Sequence, residues 1–384
     1  MINQTPIRHT HRISRLSQAL LSFVRKNVVF CVAILLAVTT SVLIPPDAQY
    51  ASYFDWKTLT CLFCTLAVVC ALKNIKFFTI LARKIVDCTG NLRVAVLALV
   101  YVTFLGSMLI SNDMALLTFL PLGFFVLTST GKQKYMAFVF IMQNIAANLG
   151  GMLTPFGNPQ NLYLYSKFNI PTGEFMQIML LPFLASIALI TICCLFVPKA
   201  PLSITEPCPY KLPLWRTGIY LLLFTLAIVV VFRVIPYQIG LVVIPLALLF
   251  LDRRALKQVD YGLLATFFCF FIFAGNMARI PAVSQLFSSL LETNTLLFSI
   301  LSCQVISNVP SAILLSQFTM DYPALLVGVN IGGTGTLIAS LASLITFREY
   351  TTHNPGRAGH YLLLFTLFNV GFVVVLTALS MLVL

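Results

Sequence analysis

One acidic residue stands alone inside the apolar part of this chain. Asp113 is the single charge in block 94–131, and no lysine or arginine in that block can neutralise it. An ionised carboxylate at the centre of a bilayer costs roughly 2.5–3.5 kcal/mol on insertion scales. Such a group must face a wet site, bind a cation or hold a proton, and each option makes it a candidate to carry a coupling ion. The competing reading is a carboxylate satisfied by backbone amides at a turn. Asp113 closes the triplet Ser111-Asn112-Asp113, and a related run, Ser307-Asn308-Val309-Pro310, interrupts block 293–320. A third polar group fills block 135–166: Asn144, Asn148-Leu149-Gly150-Gly151, Thr154, Pro155 and Gly157-Asn158-Pro159-Gln160-Asn161. Its milder counterpart in 322–347 is Asn330-Ile331-Gly332-Gly333-Thr334-Gly335-Thr336, with Ser340 and Ser343. Pro155 and Pro159 remove backbone donors and free carbonyls. Unwound backbone offers carbonyl oxygens to cations, and half-helix N-termini offer partial positive charge to anions. The glycine pairs also fit plain close helix packing.

Other chemistries find little support. Ten cysteines sit mostly in apolar blocks, including Cys61 and Cys64 at C-x-x-C spacing, and read better as buried small hydrophobes than as metal or redox groups. His9, His11, His353 and His360 form no ligand cluster or triad, and there is no phosphate-binding Gly-Lys-Ser/Thr run. The chain therefore reads as a non-enzyme that needs no cofactor and no metal beyond a possible sodium ion.

The scaffold for these residues is set by composition. Of 384 residues, 59% are hydrophobic and 9% charged, far from the roughly 25% charged residues of a soluble domain. At about 20 residues per span the length allows roughly nine to twelve crossings, and the apolar runs are too long for barrel strands. The expected class is an all-α polytopic membrane protein in the plasma membrane, the inner membrane of a bacterium. The net charge of +13 reports topology rather than a nucleic-acid partner. With the basic tail 1–27 inside, only Lys57, Lys167, Arg233 and Arg279 fall on the outer side. No small-residue cleavage site follows the apolar stretch 28–44, so that stretch reads as the first span rather than a signal peptide.

This tally makes blocks 94–131 and 293–320 leave by the side they enter. They read as re-entrant helical hairpins, an inward one over 92–131 and an outward one over 293–321, beside about nine spans. The N-terminus is then cytoplasmic and the C-terminus outside. On hydropathy alone, two full spans over 94–131 fit as well. The order of signals is the same in both halves. Asp55 and Asp260 open matching helices, mixed segments 73–91 and 277–292 come next, then a hairpin, then an Asn-x-Gly-Gly run. The expected plan is repeat one over 28–197, a linking loop and helix over 198–233, and an inverted repeat two over 234–384. Inverted repeats with broken helices are the architecture of secondary transporters.

These residues resemble the ion transporter superfamily, which includes divalent-anion:sodium symporters, citrate-transporter-like permeases, arsenite permeases and a class of sodium/proton antiporters. The similarity rests on the two hairpin tips and on the run from Asn148 to Asn161, and it covers about 28–384. It implies an elevator-type carrier: a scaffold domain, a moving domain holding both hairpins, and arm helices near 73–91 and 277–292. In that family the tips and broken helices hold sodium ions and substrate carboxylates. Carried over, the resemblance assigns Ser111, Asn112, Asp113 and Gly157 to a first cation site, and Ser307 and Asn308 to a second. It assigns Asn112, Thr154, Asn158, Pro159, Asn161, Asn308, Pro310, Ser311, Thr336 and Ser340 to the substrate. In the symporter branch both tips read Ser-Asn-Thr, and the later motif reads Gly-Thr-Pro-Pro-Asn. Here position 113 is Asp, 309 is Val, and 339–343 lack the double proline, closer to the citrate-like, arsenite and antiporter branches. The expected activity is secondary active transport of a small anion, such as a di- or tricarboxylate, coupled to sodium or protons. The alternatives are sodium/proton antiport through Asp113 and arsenite or metalloid efflux. The implied partners are a small anionic substrate and the lipid bilayer, with a homodimer formed through the scaffold.

Overall fold

The computed structural model describes residues 28–202 and 211–383; the basic tail 1–27 and part of the linking loop lie outside the described residues. Among the described residues the chain is helical, with a lone bridge between Asn91 and Pro201 and no strand. In chain order the helices are α1 (Val28–Leu43), α2 (Trp56–Asn74), α3 (Phe77–Asp87), α4 (Leu92–Ile110) and α5 (Asn112–Ser129). Then come α6 (Met136–Gly150), α7 (Pro159–Lys167), α8 (Thr172–Leu195), α9 (Leu214–Val231), α10 (Tyr237–Leu251) and α11 (Arg253–Gln258). The remainder are α12 (Tyr261–Ala278), α13 (Pro281–Ile306), α14 (Asn308–Leu315), α15 (Tyr322–Gly332), α16 (Leu341–His353) and α17 (Ala358–Met381). Among the described residues, nine helical segments are long and apolar enough to cross a membrane. They include α4, α5 and α13, whereas α1, α10 and α15 are shorter apolar helices. This is a polytopic membrane protein.

Helix starts are set by side-chain caps that recur in both halves. The carboxylate of Asp55 accepts from the Thr58 amide, and that of Asp260 from the Leu263 amide. The first limb of the first hairpin begins where Asn91 accepts from the Val94 amide at 3.1 Å. In the second half, Asn294 accepts from the Leu297 amide at 2.8 Å. There φ −166° and ψ 95° break α13 into an arm and a hairpin limb. An asparagine cap therefore starts the first limb of each hairpin.

Each hairpin reverses at one residue, Ser111 or Ser307. The second limbs then cross over between halves: α5 packs against α16, and α14 packs against α7. Around this core α2 packs with α9 and α10, and α1 with α12. The apolar faces left exposed on α1, α8, α10 and α17, such as Leu35, Leu184, Val242 and Leu363, suit a lipid surround. The interior is unusually polar around α6, where Gln143, Asn144 and Asn148 are all buried.

Candidate functional site

At the first tip Ser111 adopts φ 69° and ψ 156°, a region close to one that is essentially reserved for glycine. This turns the backbone in a single step and starts α5 at Asn112. The Asn112 Oδ1 accepts from the Asp113 amide at 2.9 Å, and its Nδ2 donates to Asn148 Oδ1 at 3.1 Å. Asp113 is half-buried, and its Oδ1 is shielded from solvent with no hydrogen-bond partner among the described residues. A buried acceptor left in this state favours a cation or a proton.

The second tip repeats the backbone. Ser307 has φ 75° and ψ 158°, and Asn308 Oδ1 accepts from the Val309 amide at 2.9 Å. The Ser307 hydroxyl and the Asn308 backbone amide both donate to the Ala339 carbonyl, at 3.2 and 2.9 Å. Ser311 and Ser302 share a hydrogen bond of 2.8 Å inside the hairpin, next to buried Pro310.

Between the tips lie two broken helices. The chain leaves α6 at Gly150, passes a short 3-10 turn and re-enters as α7 at Pro159. Its two sides touch closely: a Cβ on Gly157 would lie 2.3 Å from the Gly151 carbonyl oxygen. Freed carbonyls find one donor. Asn161 Nδ2 lies within 3.2–3.4 Å of the Gly151, Met152 and Thr154 oxygens, while its Oδ1 accepts from Asn330 at 2.6 Å. Asn158 Nδ2 donates to the Asn148 carbonyl and to Asn330 Oδ1, both at 3.3 Å, leaving its own buried Oδ1 without a partner among the described residues. Thr154 donates to the Met108 carbonyl on α4 at 3.1 Å.

The second break is held from outside by Gln304. Its Nε2 donates to the Gly332 carbonyl at 2.9 Å, and its Oε1 accepts from the Thr336 amide at 2.8 Å. The exposed Thr336 hydroxyl returns to the Gln304 carbonyl. Ser340 caps α16 by accepting from the Ser343 amide, and Asn144 Nδ2 donates to the Ser343 hydroxyl at 3.3 Å.

The sequence-derived residues therefore divide. Asn112, Asp113 and Asn158 gather with Asn148 and Asn330 into one connected network with unpaired oxygens on Asp113 and Asn158. Asn161, Thr154, Ser311, Ser340 and Thr336 have their polar groups engaged with the frame. Gly157 provides the close approach, and Pro159 opens α7 without an amide to lose. The Asn308 Nδ2 is directed at Gly333. Asn144, Asn148, Asn330 and Gln304 carry the network although sequence reasoning gave them no site role. The ungapped match of Asn148 to Asn330, Thr154 to Thr336 and Asn158 to Ser340 is the signal that points to the first repeat-related pair.

Two cavities share Leu263 as a wall, and the smaller adjoins the first tip. One of about 20 Å³ lies between Ser111, Pro159 and the α2 residues Leu62, Thr65 and Leu66, with Leu263 on its wall. The other, of about 340 Å³, is lined by Leu263, Thr266, Leu344, Asp260 and Arg348. Among the described residues, no group of three or more histidine, cysteine, aspartate or glutamate side chains could hold a metal ion.

The sequence model of a family described as citrate transporter (CitMHS) matches residues 16–324. An uncharacterized transporter of Methanocaldococcus jannaschii is 32% identical over 325 residues, covering 84% of this chain and 89% of that protein. The inner membrane protein YbiR of Escherichia coli K12 is 30% identical over 335 residues, covering 83% and 87%.

Proposed function

The chain belongs to the citrate transporter family and is a multi-pass membrane transporter, and from that premise we propose that it carries a small organic-acid anion together with a proton or sodium ion held at Asp113. The observation that carries this reading is the buried, unpartnered Asp113 Oδ1 at the end of the Asn112–Asn148–Asn158–Asn330 network. A cation there completes the carboxylate. The carboxylate, once neutralised, no longer repels an anion approaching the amides of Asn112 and Asn158. Anion and cation thus favour each other's binding, which is the energetic content of symport.

The packing supports an elevator reading. Helices α4–α7 and α14–α16, with the second part of α13, form one block through the crossed hairpin limbs. Helices α1, α2, α9, α10 and α12 form a second layer, and α3 and the first part of α13 connect the two as arms. We read the first block as the moving body of an elevator and the second as its scaffold, in a bacterial inner membrane with the basic side inside.

The test is uptake into proteoliposomes with a panel of di- and tricarboxylates, arsenite and inorganic anions, under imposed proton and sodium gradients. Saturable uptake of an organic acid that rises with one gradient supports the reading. Cation exchange with no anion requirement would replace it with antiport, and arsenite movement would replace it with metalloid efflux.

A further inference from the structure

The two halves use their helix-capping aspartates differently. In the first half both oxygens of Asp55 are occupied: Oδ1 accepts from the Thr58 amide at 3.0 Å and Oδ2 from the Thr58 hydroxyl at 2.5 Å. In the second half the residue matching Thr58 is Leu263. Asp260 therefore uses Oδ1 for the Leu263 amide at 2.9 Å, and among the described residues no hydrogen bond engages its exposed Oδ2. The cavity of about 340 Å³ opens beside it, between α12 of the scaffold and α16 of the moving body. Leu263, whose amide Asp260 holds, is also a wall of the small cavity at Ser111 and Pro159. Arg348 on α16 lines the same cavity as Asp260, Lys257 and Tyr261 lie beside it along the chain, and Cys70 on α2 donates to the nearby Gln258 carbonyl.

We propose that Asp260 is a second ion-handling residue, which attracts the coupling cation into this cavity and passes it along the Leu263 wall to and from Asp113. The proposal rests on the reading of Asp113 as the coupling group and adds the path by which the ion reaches it. The chemistry is that of a monovalent cation or a proton: one fixed carboxylate at a wet mouth, a short apolar divide, and one buried carboxylate beyond it. Arg348 opposes Asp260 across the cavity and limits how strongly a cation is retained there, which suits a residue that must release its ion. Asp55, with both oxygens spent on Thr58, provides an internal comparison with the same capping role and no free oxygen.

The experiment uses purified full-length protein in lipid vesicles and a hydrophobic carbodiimide, which reacts with protonated carboxyls in apolar surroundings. Modification of the peptide bearing Asp113 is read by mass, across pH and with sodium as the probe ion. Asparagine and serine both cap helices as well as aspartate does, so Asp260→Asn, Asp260→Ser and Asp55→Asn should all fold. Asp260→Asn and Asp260→Ser should raise the sodium concentration that half-protects Asp113 by ~5-fold or more, at the low end of ordinary coupling between sites. If protons are the ion, both should instead move the pH of half-modification downward. Asp55→Asn should leave both values unchanged. Equal behaviour of the Asp260 and Asp55 variants overturns the path while leaving Asp113 in place. An Asp113 peptide whose modification ignores both pH and sodium, even in the wild type, overturns Asp113 and the path together.

Discussion

The two hairpin tips are the same piece of backbone carrying different chemistry. Ser111 and Ser307 adopt nearly the same strained angles, and in each case the succeeding asparagine accepts from the amide of the next residue at 2.9 Å. That next residue bears a carboxylate in one half, at Asp113, and an isopropyl group in the other, at Val309. The breaks differ in the same sense, with Asn158 and Asn161 in the first half against Ser340 and Ser343 in the second. The fold has kept the frame twice and placed a carboxylate on it once. A shared backbone therefore fixes the frame, and the side chains decide what chemistry each half can offer.

The largest effect should come from exchanging chemistry at the tips. Asp113→Asn is expected to lower gradient-driven accumulation of the transported anion by about 100-fold or more, roughly 2.7 kcal/mol. Val309→Ala should change it by less than about 2-fold. Comparable losses in the two variants would break the comparison.

Next come the broken helices. Asn161→Ala removes the donor to three freed carbonyls and the acceptor for Asn330, at a cost of about 3 kcal/mol from unsatisfied buried groups. Ser343→Ala loses two neutral side-chain contacts, to Asn144 and Ser340, and should cost about 1 kcal/mol. Thermal unfolding in detergent should therefore rank Asn161→Ala well below Ser343→Ala. If Asn161→Ala unfolds like the wild type but loses substrate affinity, Asn161 belongs to the substrate rather than to the frame.

The glycines sharpen the contrast further. A Cβ on Gly150 would lie 2.3 Å from the Phe104 carbonyl oxygen, and backbone cannot move aside. A Cβ on Gly332 would meet the Cys303 side chain at 2.9 Å. Gly150→Ala should cost about 3 kcal/mol and Gly332→Ala about 1 kcal/mol, the two ends of the usual overpacking range. Equal melting points for the two alanine variants would contradict this.

The smallest effect lies at a partly exposed ion pair. Arg279 binds both oxygens of Asp47, at 3.1 and 2.6 Å, and holds its carboxyl below the usual carboxylate range. A carboxylate with a lowered folded pKa contributes stability that is complete above its unfolded pKa of about 3.9 and fades as pH falls through the folded value. Asp47→Asn should therefore lower the melting point slightly at pH 7 and leave it unchanged at strongly acid pH. A variant effect that persists in acid would show that the contact is not ionic.

Much of this was legible from residue types alone. The positions of the tips, the arm-to-hairpin junction near residue 293 and the breaks after Asn148 and Asn330 all announce themselves through polar residues in apolar blocks. Asp113 stood out because nothing nearby could neutralise it. The division of labour among asparagines was not legible. Asn158 and Asn161 belong to one motif, but only three-dimensional packing shows one with a free oxygen and the other wholly spent on carbonyls and Asn330. Gln304 gave no signal because its partners are backbone groups some thirty residues away. The helix at 237–251 also shows a limit: its apolar block begins at 234, but Pro236 starts the helix late and leaves it short.

The most direct test of ion coupling at Asp113 tracks the ion itself. Luminal pH and sodium are monitored in proteoliposomes while the transported organic acid is added outside, with anion exchange measured on the same preparation. In the wild type one cation signal should move with the anion. In Asp113→Asn that signal should be lost while anion exchange continues, because exchange does not require the coupling ion to be released in each half-cycle. A cation flux that still accompanies the anion in Asp113→Asn would contradict the assignment, and would move the coupling ion to another part of the Asn112–Asn148–Asn158–Asn330 network.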